Sequence, residues 1–381
     1  MLKLGLDLVP RCGAEMVDPA TMSAVELYKV HVQSSENIQG VSARGTLRRP
    51  KDTSKIQTRH MFMCMRDFGY HIGEETEVYF SLYDAKNFKF IRQVFERFLV
   101  KISKEGFSNY IEKLHNNCTI FTELGLQDLS RDLYIVAHVM RIGKMVYSES
   151  SKKVSLSSSS SSSSAQTPVS YFKRPLGVAV LNISEMLTSN NSNNSDEREF
   201  TFRVFQTDEK DFCQLHDTLI RKQNSKYSPL SSHPNYGIVI SLRILDGDLR
   251  QVREENPLAF KNVSTTKKMG FPDVIMPGHV RNDLYLTLEK GEFEKGGKST
   301  GKNIEVSVIV LDYEGNVVPD CIWGASGTDS SAEYRSMIVY HHNAPCWMET
   351  IRLAVPIEKY NIAHIRFEYR HCSSKSCKIK S

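Results

Sequence analysis

Three lysines in one glycine-rich segment form a concentrated positive charge. Lys295, Lys298 and Lys302 lie in the segment 295–302, which contains no acidic residue. Glycine lets the backbone turn tightly and approach a ligand closely, and lysine places a point charge on a flexible stem that suits phosphate. The segment therefore predicts an anion-binding loop. Its ligand could be a nucleotide, a nucleic acid or a phospholipid headgroup, and the alternative is a loop that meets only water.

The stretch 291–299 comes close to a nucleotide-binding phosphate loop. That motif needs a glycine six places before Lys298, where this sequence has Glu292. It must also open a helix, whose N-terminus then faces the phosphates. The residues that follow, 304–310, alternate as a strand does instead. A phosphate- or nucleotide-handling enzyme therefore remains only the alternative interpretation.

A second run of cations lies near the end of the sequence. The segment 370–380 again contains no acidic residue, and its basic side chains are those of Arg370, His371, Lys375, Lys378 and Lys380. Two such loops suit a polyphosphorylated headgroup or an anionic leaflet, and each cation near the surface contributes about 1 kcal/mol. Neither loop interleaves aromatic residues for base stacking, so no nucleic acid is expected. Two solvated loops are the plain alternative.

The sequence contains no residue pattern that is typical of catalysis or of metal binding. It contains no GxSxG or HExxH motif, so no catalytic residue is predicted. The pair His341-His342 is interpreted as part of a strand rather than a metal site, and the loops lack the aspartates that calcium needs. The eight cysteines form no CxxC pair and are predicted to be free thiols in a reducing compartment. No metal and no cofactor are expected.

Strand-like runs dominate the elements that must position these loops. Apolar residues make up 40% of the 381 residues, enough for real cores, and the net charge of +5 is too mild to indicate a partner. Runs rich in β-branched and aromatic residues predict antiparallel β-sandwiches, with one helix near 211–222 and another near 108–114. The predicted divisions are a helical segment and basic linker at 1–58, a first sandwich at 59–250 with a disordered serine-rich loop at 150–166, a connector at 251–280 and a second sandwich at 281–381.

The second sandwich is predicted to copy the plan of the first. The segment 77–84 resembles 305–312, and 132–141 resembles 361–370, so that both pairs are separated by nearly the same number of residues. On this plan the second copy is incomplete at Ser381, which predicts a fragment. The fold class is thus mainly β, with two sandwiches in tandem, the second truncated. A short N-terminal helix is expected at 21–33, capped by Thr21 or Ser23.

No run in the sequence is long and apolar enough to cross a bilayer, and the N-terminus has too short an apolar run for a secretory signal. The sequence therefore predicts a cytoplasmic protein that contacts membranes only peripherally.

Several strings along the chain resemble the dedicator-of-cytokinesis (DOCK) family of Rho-type guanine nucleotide exchange factors, and most closely its Rac-directed members. The strings are Leu4-Gly-Leu-Asp-Leu-Val-Pro10, Ile72-Gly-Glu-Glu75, Phe80-Ser-Leu-Tyr-Asp84, Arg174-Pro-Leu-Gly-Val-Ala-Val180, Gly270-Phe-Pro272, Ile275-Met-Pro-Gly278 and Arg281-Asn-Asp283.

The resemblance implies that both sandwiches are C2-like and that 281–381 begins the family's C2-type homology region. That region binds phosphatidylinositol 3,4,5-trisphosphate without calcium, and the headgroup role carries over to Lys295, Lys298 and Lys302. In the second loop Arg370 and His371 match, and the last three lysines match more loosely. The resemblance also implies recruitment to the plasma membrane. It implies a Rho or Rac GTPase and an ELMO-type adaptor as partners only through family regions missing here, including the exchange domain, so this chain is expected to have no enzymatic activity.

Overall fold

The structure is a computed structural model. It describes residues 58–85, 91–108, 115–145, 171–188, 197–223, 227–233, 235–270, 283–293 and 302–372, with 11–12, 15–16, 23, 25–26 and 28–29 near the N-terminus. The chain divides into two compact units, Met1–Lys55 and Ile56–Ser381. The predicted helix at 108–114 and the serine-rich loop lie largely or wholly outside the described residues.

In chain order the strands are β1 (Arg11–Cys12), β2 (Glu15–Met16), β3 (Arg59–Phe68), β4 (Glu75–Asp84), β5 (Arg92–Gln93), β6 (Phe98–Ile102), β7 (Cys118–Leu124), β8 (Leu133–Gly143), β9 (Phe172–Asn182), β10 (Arg198–Phe202), β11 (Phe205–Gln206), β12 (Ser228–Pro229), β13 (Ile238–Asp246), β14 (Ser264–Thr266), β15 (Leu284–Lys290), β16 (Ile304–Leu311), β17 (Ile322–Trp323), β18 (Glu333–Arg335), β19 (Cys346–Leu353) and β20 (His364–His371). The helices are α1 (Leu126–Leu129), α2 (Ser184–Thr188), α3 (Phe212–Ile220), α4 (Leu249–Glu255) and α5 (Pro257–Phe260).

The smaller unit contains a two-stranded antiparallel pair, β1 with β2, and the helix predicted near its middle. Ser23 caps this helix, as one of the two predicted caps. Its hydroxyl accepts from the backbone N–H of Glu26 at 3.3 Å, and the Glu26 carboxylate accepts from the Ser23 backbone N–H at 2.9 Å. This reciprocal capping box satisfies donors that the first helical turn leaves free. The hydrogen bonds from Ser23 also lower the pKa of Glu26.

The first sandwich of the larger unit packs two sheets face to face. One is five-stranded, in the order β10-β13-β3-β7-β14, and the other is seven-stranded, in the order β12-β11-β9-β8-β4-β5 with β6 also paired to β4. Their inner faces share one apolar core, because alternate strand residues point inward. Met61, Phe80, Phe121, Ile135 and Ile240 are all fully buried there.

The second sandwich repeats part of this plan. It consists of two three-stranded sheets, β15-β19-β17 and β18-β16-β20. β4 pairs antiparallel with β8, and β16 pairs antiparallel with β20 in the same way. Glu77 lies opposite Met140, and its counterpart Glu305 lies opposite Arg370. The tandem sandwiches predicted from the two matching segments are therefore confirmed.

The outer face of the seven-stranded sheet is also buried, since the second sandwich and α3 cover it. One apolar cluster runs from Val136 and Val178 on this face to Val306, Val308 and Met337 of the second sandwich. Burying side chains of this size stabilises by about 1.5–3 kcal/mol each. The two sandwiches therefore share a core and cannot separate without exposing it.

Arg97 lies at the centre of this interface, and its side chain is 7% exposed. Its guanidinium donates to the Tyr334 hydroxyl and to the Gly324 carbonyl, each at 3.1 Å, and lies 3.8 Å from the carboxylate of Glu349. Its charge also lies 4.8 Å from the centre of the Tyr79 ring. Burial alone would lower the pKa of Arg97, but Tyr334 and Glu349 raise it above its ordinary value.

Lys173 extends this network on the same side of the sheet. Its ammonium donates to the Tyr79 hydroxyl at 2.8 Å and lies 3.3 Å from the Glu77 carboxylate. Its backbone carbonyl accepts from the N–H of Ile338 at 2.8 Å, a direct bond between the two sandwiches. We call Arg97, Lys173, Glu77, Glu349, Tyr79 and Tyr334 the interface network. Each charged group in this network has a partner. It needs one because burial removes the water that would otherwise solvate the charge.

Two predictions need correction. The segment predicted as a connector contains α5 and β14, and β14 joins the first sandwich in parallel with β7. The prediction that every cysteine is a free thiol is wrong, since the register of β3 and β7 places Cys64 opposite Cys118 and a disulfide joins them.

We expect removal of one partner of Arg97 to destabilise the larger unit strongly. Glu349→Leu leaves a buried guanidinium without its carboxylate, which should lower the free energy of unfolding by about 3 kcal/mol or more in urea titrations. The double variant Arg97→Met/Glu349→Leu should regain most of this loss. The exposed pair Arg250–Glu254 is the control, because Glu254→Ala should change stability by less than about 1 kcal/mol. Equal stability of the Glu349 and Glu254 variants would contradict this account.

Two histidines where α3 meets the seven-stranded sheet, His216 on the helix and His138 on β8, make the fold sensitive to acid. The rings of His138 and His216 lie 5.4 Å apart between the seven-stranded sheet and α3. Burial lowers the pKa of His216 from 6.5 to about 4, and burial together with His216 lowers the pKa of His138 well below its ordinary value. The folded protein therefore keeps both rings neutral, whereas the unfolded chain protonates them below about pH 6.5.

The stability contributed by neutral His216 should be complete above about pH 6.5 and should fall as the pH drops towards about 4, by about 1.4 kcal/mol per pH unit. In His216→Phe this slope should be shallower, because the ring no longer titrates. Urea midpoints measured at neutral and acidic pH test this expectation. The exposed His364→Gln serves as control and should retain the wild-type slope; an unchanged slope in His216→Phe would refute the assignment.

Candidate functional site

Three chain segments meet at one end of the second sandwich. β20 runs antiparallel to β16, so Ile304 at the start of one lies opposite His371 at the end of the other. Just beyond them, the backbone N–H of Cys372 donates to the carbonyl of Asn303 at 2.9 Å. The end of the lysine segment and the start of the second basic segment therefore lie at the same end of the sandwich.

Asn303 ties these segments to a third. Its side-chain amide donates to the Cys372 carbonyl at 3.1 Å, and its side-chain oxygen accepts from the backbone N–H of His341 at 2.6 Å. The residue is 6% exposed and has a φ of +56°, in the left-handed region that asparagine tolerates better than most residues. One buried side chain thus holds residues 302–303, 341 and 372 together.

The third segment is the turn at 340–345, where the prediction of a strand at His341-His342 is wrong. His341 has a φ of +55°, which breaks an extended strand. The carbonyl of Asn343 accepts from the N–H of Phe293 at 2.8 Å, and that of Pro345 accepts from Gly291 at 3.0 Å. The turn is therefore bonded to the residues just before the lysine segment and, through Asn303, to the residues just after it.

Lys302 and His341 form a direct contact at this end. The Lys302 ammonium lies 3.0 Å from Nε2 of the His341 ring, so a neutral imidazole accepts a hydrogen bond from it. Both side chains are accessible to solvent. We call the exposed surface formed by Lys302, His341, His342 and His371 the basic end. Sequence reasoning missed the part played by His341, although the adjacent histidines between two strands were a visible signal.

The other predicted site residues fall into two groups. Lys295, Lys298, Lys375, Lys378 and Lys380 lie outside the described residues. Arg370 lies within β20 rather than in a loop. Its guanidinium donates to Glu368 at 2.9 Å and lies 3.7 Å from Glu333, and the bond to Glu368 raises the pKa of Arg370. Although 370–380 contains no acid, folding brings two carboxylates to Arg370, which leaves less of its charge for a ligand.

The described residues also bear on the alternative chemistries. β16 begins only a few residues after the lysine segment, so a strand follows it where a phosphate loop requires a helix. Among the described residues, no group of histidine, cysteine and acidic side chains is arranged to hold a metal ion. In the same part of the chain, no helix is long and apolar enough to cross a membrane.

We expect Asn303→Ala to loosen the junction of the three segments. The change removes the side chain that bonds both the buried Cys372 carbonyl and the His341 N–H, which should lower the free energy of unfolding by about 1–3 kcal/mol. Chemical denaturation followed by tryptophan fluorescence measures this change. Asn361→Ala, on an exposed loop at the opposite end, should differ from wild type by less than about 0.5 kcal/mol. The idea fails if both variants unfold alike.

Comparisons with known proteins assign both parts of the chain. Residues 2–272 match the family model described as DOCK N-terminus, and residues 277–381 match the one described as C2 domain in Dock180 and Zizimin proteins. Dedicator of cytokinesis protein 3 of Homo sapiens is 44% identical over 379 residues, which are 98% of this chain and 18% of that protein. Dedicator of cytokinesis protein 4 of Homo sapiens is 37% identical over 377 residues, 98% of this chain and 17% of that protein.

The chain thus spans less than a fifth of the length of these relatives. A solved structure of two C2 domains of Extended-Synaptotagmin 2 aligns over 86% of this chain and 77% of its own, at 10% identity and a TM-score of 0.21, an overlap too small to bear on the fold.

Proposed function

Because this chain belongs to the dedicator-of-cytokinesis family, we propose that it is the membrane-targeting and scaffolding portion of a Rac-directed guanine nucleotide exchange factor. Its ligand is phosphatidylinositol 3,4,5-trisphosphate, bound at the basic end together with the adjoining lysines of 295–302 and 375–380, without calcium. The protein is cytoplasmic and is recruited peripherally to the plasma membrane. Exchange on a Rho or Rac GTPase and contact with an ELMO-type adaptor belong to other regions of the full-length family members.

One observation carries this proposal. The segment with Lys302 and the segment with His371 are joined by the Asn303–Cys372 hydrogen bonds, so cations distant in the sequence emerge side by side. A polyphosphorylated headgroup needs several donors that converge from different directions. A single solvated loop would supply them from one side only.

The arrangement of the two sandwiches as separate domains supports a scaffolding role. The first sandwich covers the flank of the second through Arg97 and Lys173, so it sets the direction in which the basic end faces. A membrane-bound second sandwich would then hold the first sandwich at a defined angle to the bilayer.

The triple variant Lys295→Ala/Lys298→Ala/Lys302→Ala tests the proposal. With about 1 kcal/mol lost for each cation, we expect its affinity for trisphosphoinositide vesicles to fall about a hundredfold. The measurement is co-sedimentation with phosphatidylcholine vesicles that carry either the trisphosphoinositide or phosphatidylserine at equal total charge. Wild-type preference for the trisphosphoinositide should persist as salt is raised, whereas a diffuse charge effect would fade for both lipids.

A charge-matched control removes three lysines elsewhere. Lys222→Ala/Lys261→Ala/Lys359→Ala changes residues after α3, after α5 and at the opposite end of the second sandwich. This variant should bind as wild type does. If the two triple variants lose binding equally, the basic end is not the lipid site.

A further inference from the structure

Hydrogen bonds of the neighbouring backbone fix the positions of both Lys302 and His341. The backbone of His341 is bound to Asn303, the neighbour of Lys302, at 2.6 Å, and Asn303 itself is anchored to Cys372. The turn that carries His341 is further bonded to Gly291 and Phe293. The 3.0 Å separation of Nζ and Nε2 therefore follows from the packing of three segments, and the two side chains face one shared patch of solvent.

A phosphate monoester bound between Lys302 and His341 would change the hydrogen-bonding role of the His341 ring. In the absence of a ligand, the Nε2 of a neutral ring accepts from the lysine. A dianionic phosphate offers only acceptors, so a ring that contacts it through Nε2 must donate a proton there. An adjacent anion also favours the charged form of an imidazole. A neutral ring can also donate by carrying its single proton on Nε2, but the dianion beside it favours the doubly protonated imidazolium, so phosphate binding and protonation of the ring should be linked.

We propose that His341 is a phosphate-contacting residue of the basic end and takes up a proton when a phosphate monoester binds between it and Lys302. This inference rests on the proposed function, and it adds a residue and a pH dependence to that site. The affinity of the basic end for a phosphorylated headgroup then increases as the cytosol or a local surface becomes more acidic.

The groups around His341 are compatible with this linkage. Lys302 faces the ring, and His342 follows it in the turn, with its Nδ1 accepting from Ala344 at 3.2 Å. On the neighbouring elements lie exposed His371 and Glu292, and Glu209, which is bound to Arg174 and to the N–H of Tyr340. Within the part of the chain that the structure describes, no carboxylate is hydrogen-bonded to the His341 ring. An incoming phosphate is therefore the anion that would stabilise its charge.

The experiment compares wild type with His341→Gln, which keeps a hydrogen-bonding side chain but cannot titrate. Calorimetry with the soluble inositol 1,3,4,5-tetrakisphosphate headgroup, in buffers of different ionisation enthalpy, counts protons taken up near neutral pH. Wild type should take up a substantial fraction of one proton per ligand, and His341→Gln clearly less. Between about pH 7.5 and about pH 6, wild-type affinity should rise about three- to tenfold relative to the variant.

The comparison between variants is essential because the ligand titrates too. A phosphate monoester has its second pKa near about 6, so its charge falls over the same range for every variant. His364→Gln, at the opposite end of β20, is the matched control and should keep the wild-type proton uptake.

Three ligand arms separate the sources of the phosphate. The soluble headgroup, vesicles of phosphatidylcholine with the trisphosphoinositide, and inorganic phosphate are each titrated at both pH values. The same pH dependence with the headgroup and the vesicles supports the proposal for a lipid headgroup. Proton uptake with inorganic phosphate alone would overturn the lipid assignment while leaving the phosphate contact at His341 standing.

The outcomes also separate this inference from the proposed function. If the lysine variant loses binding and His341→Gln keeps both the affinity and the proton uptake of wild type, the function stands and the role of His341 is refuted. If wild type binds none of the three ligands, both are refuted.

Discussion

A charged side chain buried between the two sandwiches determines how the larger unit is assembled. Arg97 comes from the first sandwich, but the groups that satisfy its guanidinium, Tyr334, Glu349 and the Gly324 carbonyl, all come from the second. An uncompensated charge in such a place would be strongly destabilising, so the two sandwiches must dock in the arrangement that supplies these partners. Apolar burial provides most of the stabilisation, while the charged network specifies the alignment. Lys173 adds a second constraint, because its backbone carbonyl accepts from the N–H of Ile338 in the second sandwich at 2.8 Å.

This alignment has a direct consequence for the basic end. Docking covers one flank of the second sandwich, and Glu209 of the first sandwich also accepts from the backbone N–H of Tyr340, next to the basic end. At this end of the second sandwich Asn303 joins the segments that carry Lys302, His341 and Cys372. The positive φ of Asn303 and of His341 belongs to the same junction, where the chain turns sharply enough for backbone and side-chain groups of three segments to meet. The proposed headgroup site thus lies next to a junction that hydrogen bonds hold together, although its ammonium groups are carried on long side chains.

Local context also decides which cations are available to a ligand. Arg370 and His371 are adjacent in β20, but their side chains point to opposite faces of the sheet. Arg370 meets Glu368 and Glu333, whereas His371 lies at the strand end beside the start of β16. A count of basic residues in the segment treats the two alike. The sheet distinguishes them because side chains alternate between its two faces. Arg370 lies on the face that carries Glu368 and Glu333, and His371 lies on the other face and belongs to the basic end.

The sequence by itself determined the strand content, the tandem plan and the position of the lysine segment before a strand. It did so because period-two alternation and matching segments are local properties of the chain, as the equivalent pairs β4–β8 and β16–β20 illustrate. Even the Ser23 cap was visible, since a capping box spans only four residues. Tertiary structure alone decided the Cys64–Cys118 bridge, the ion pair of Arg370 with Glu333 and the contact of His341 with Lys302. Each of these joins residues from different strands or turns, and their distance depends on register and docking, which no local pattern encodes.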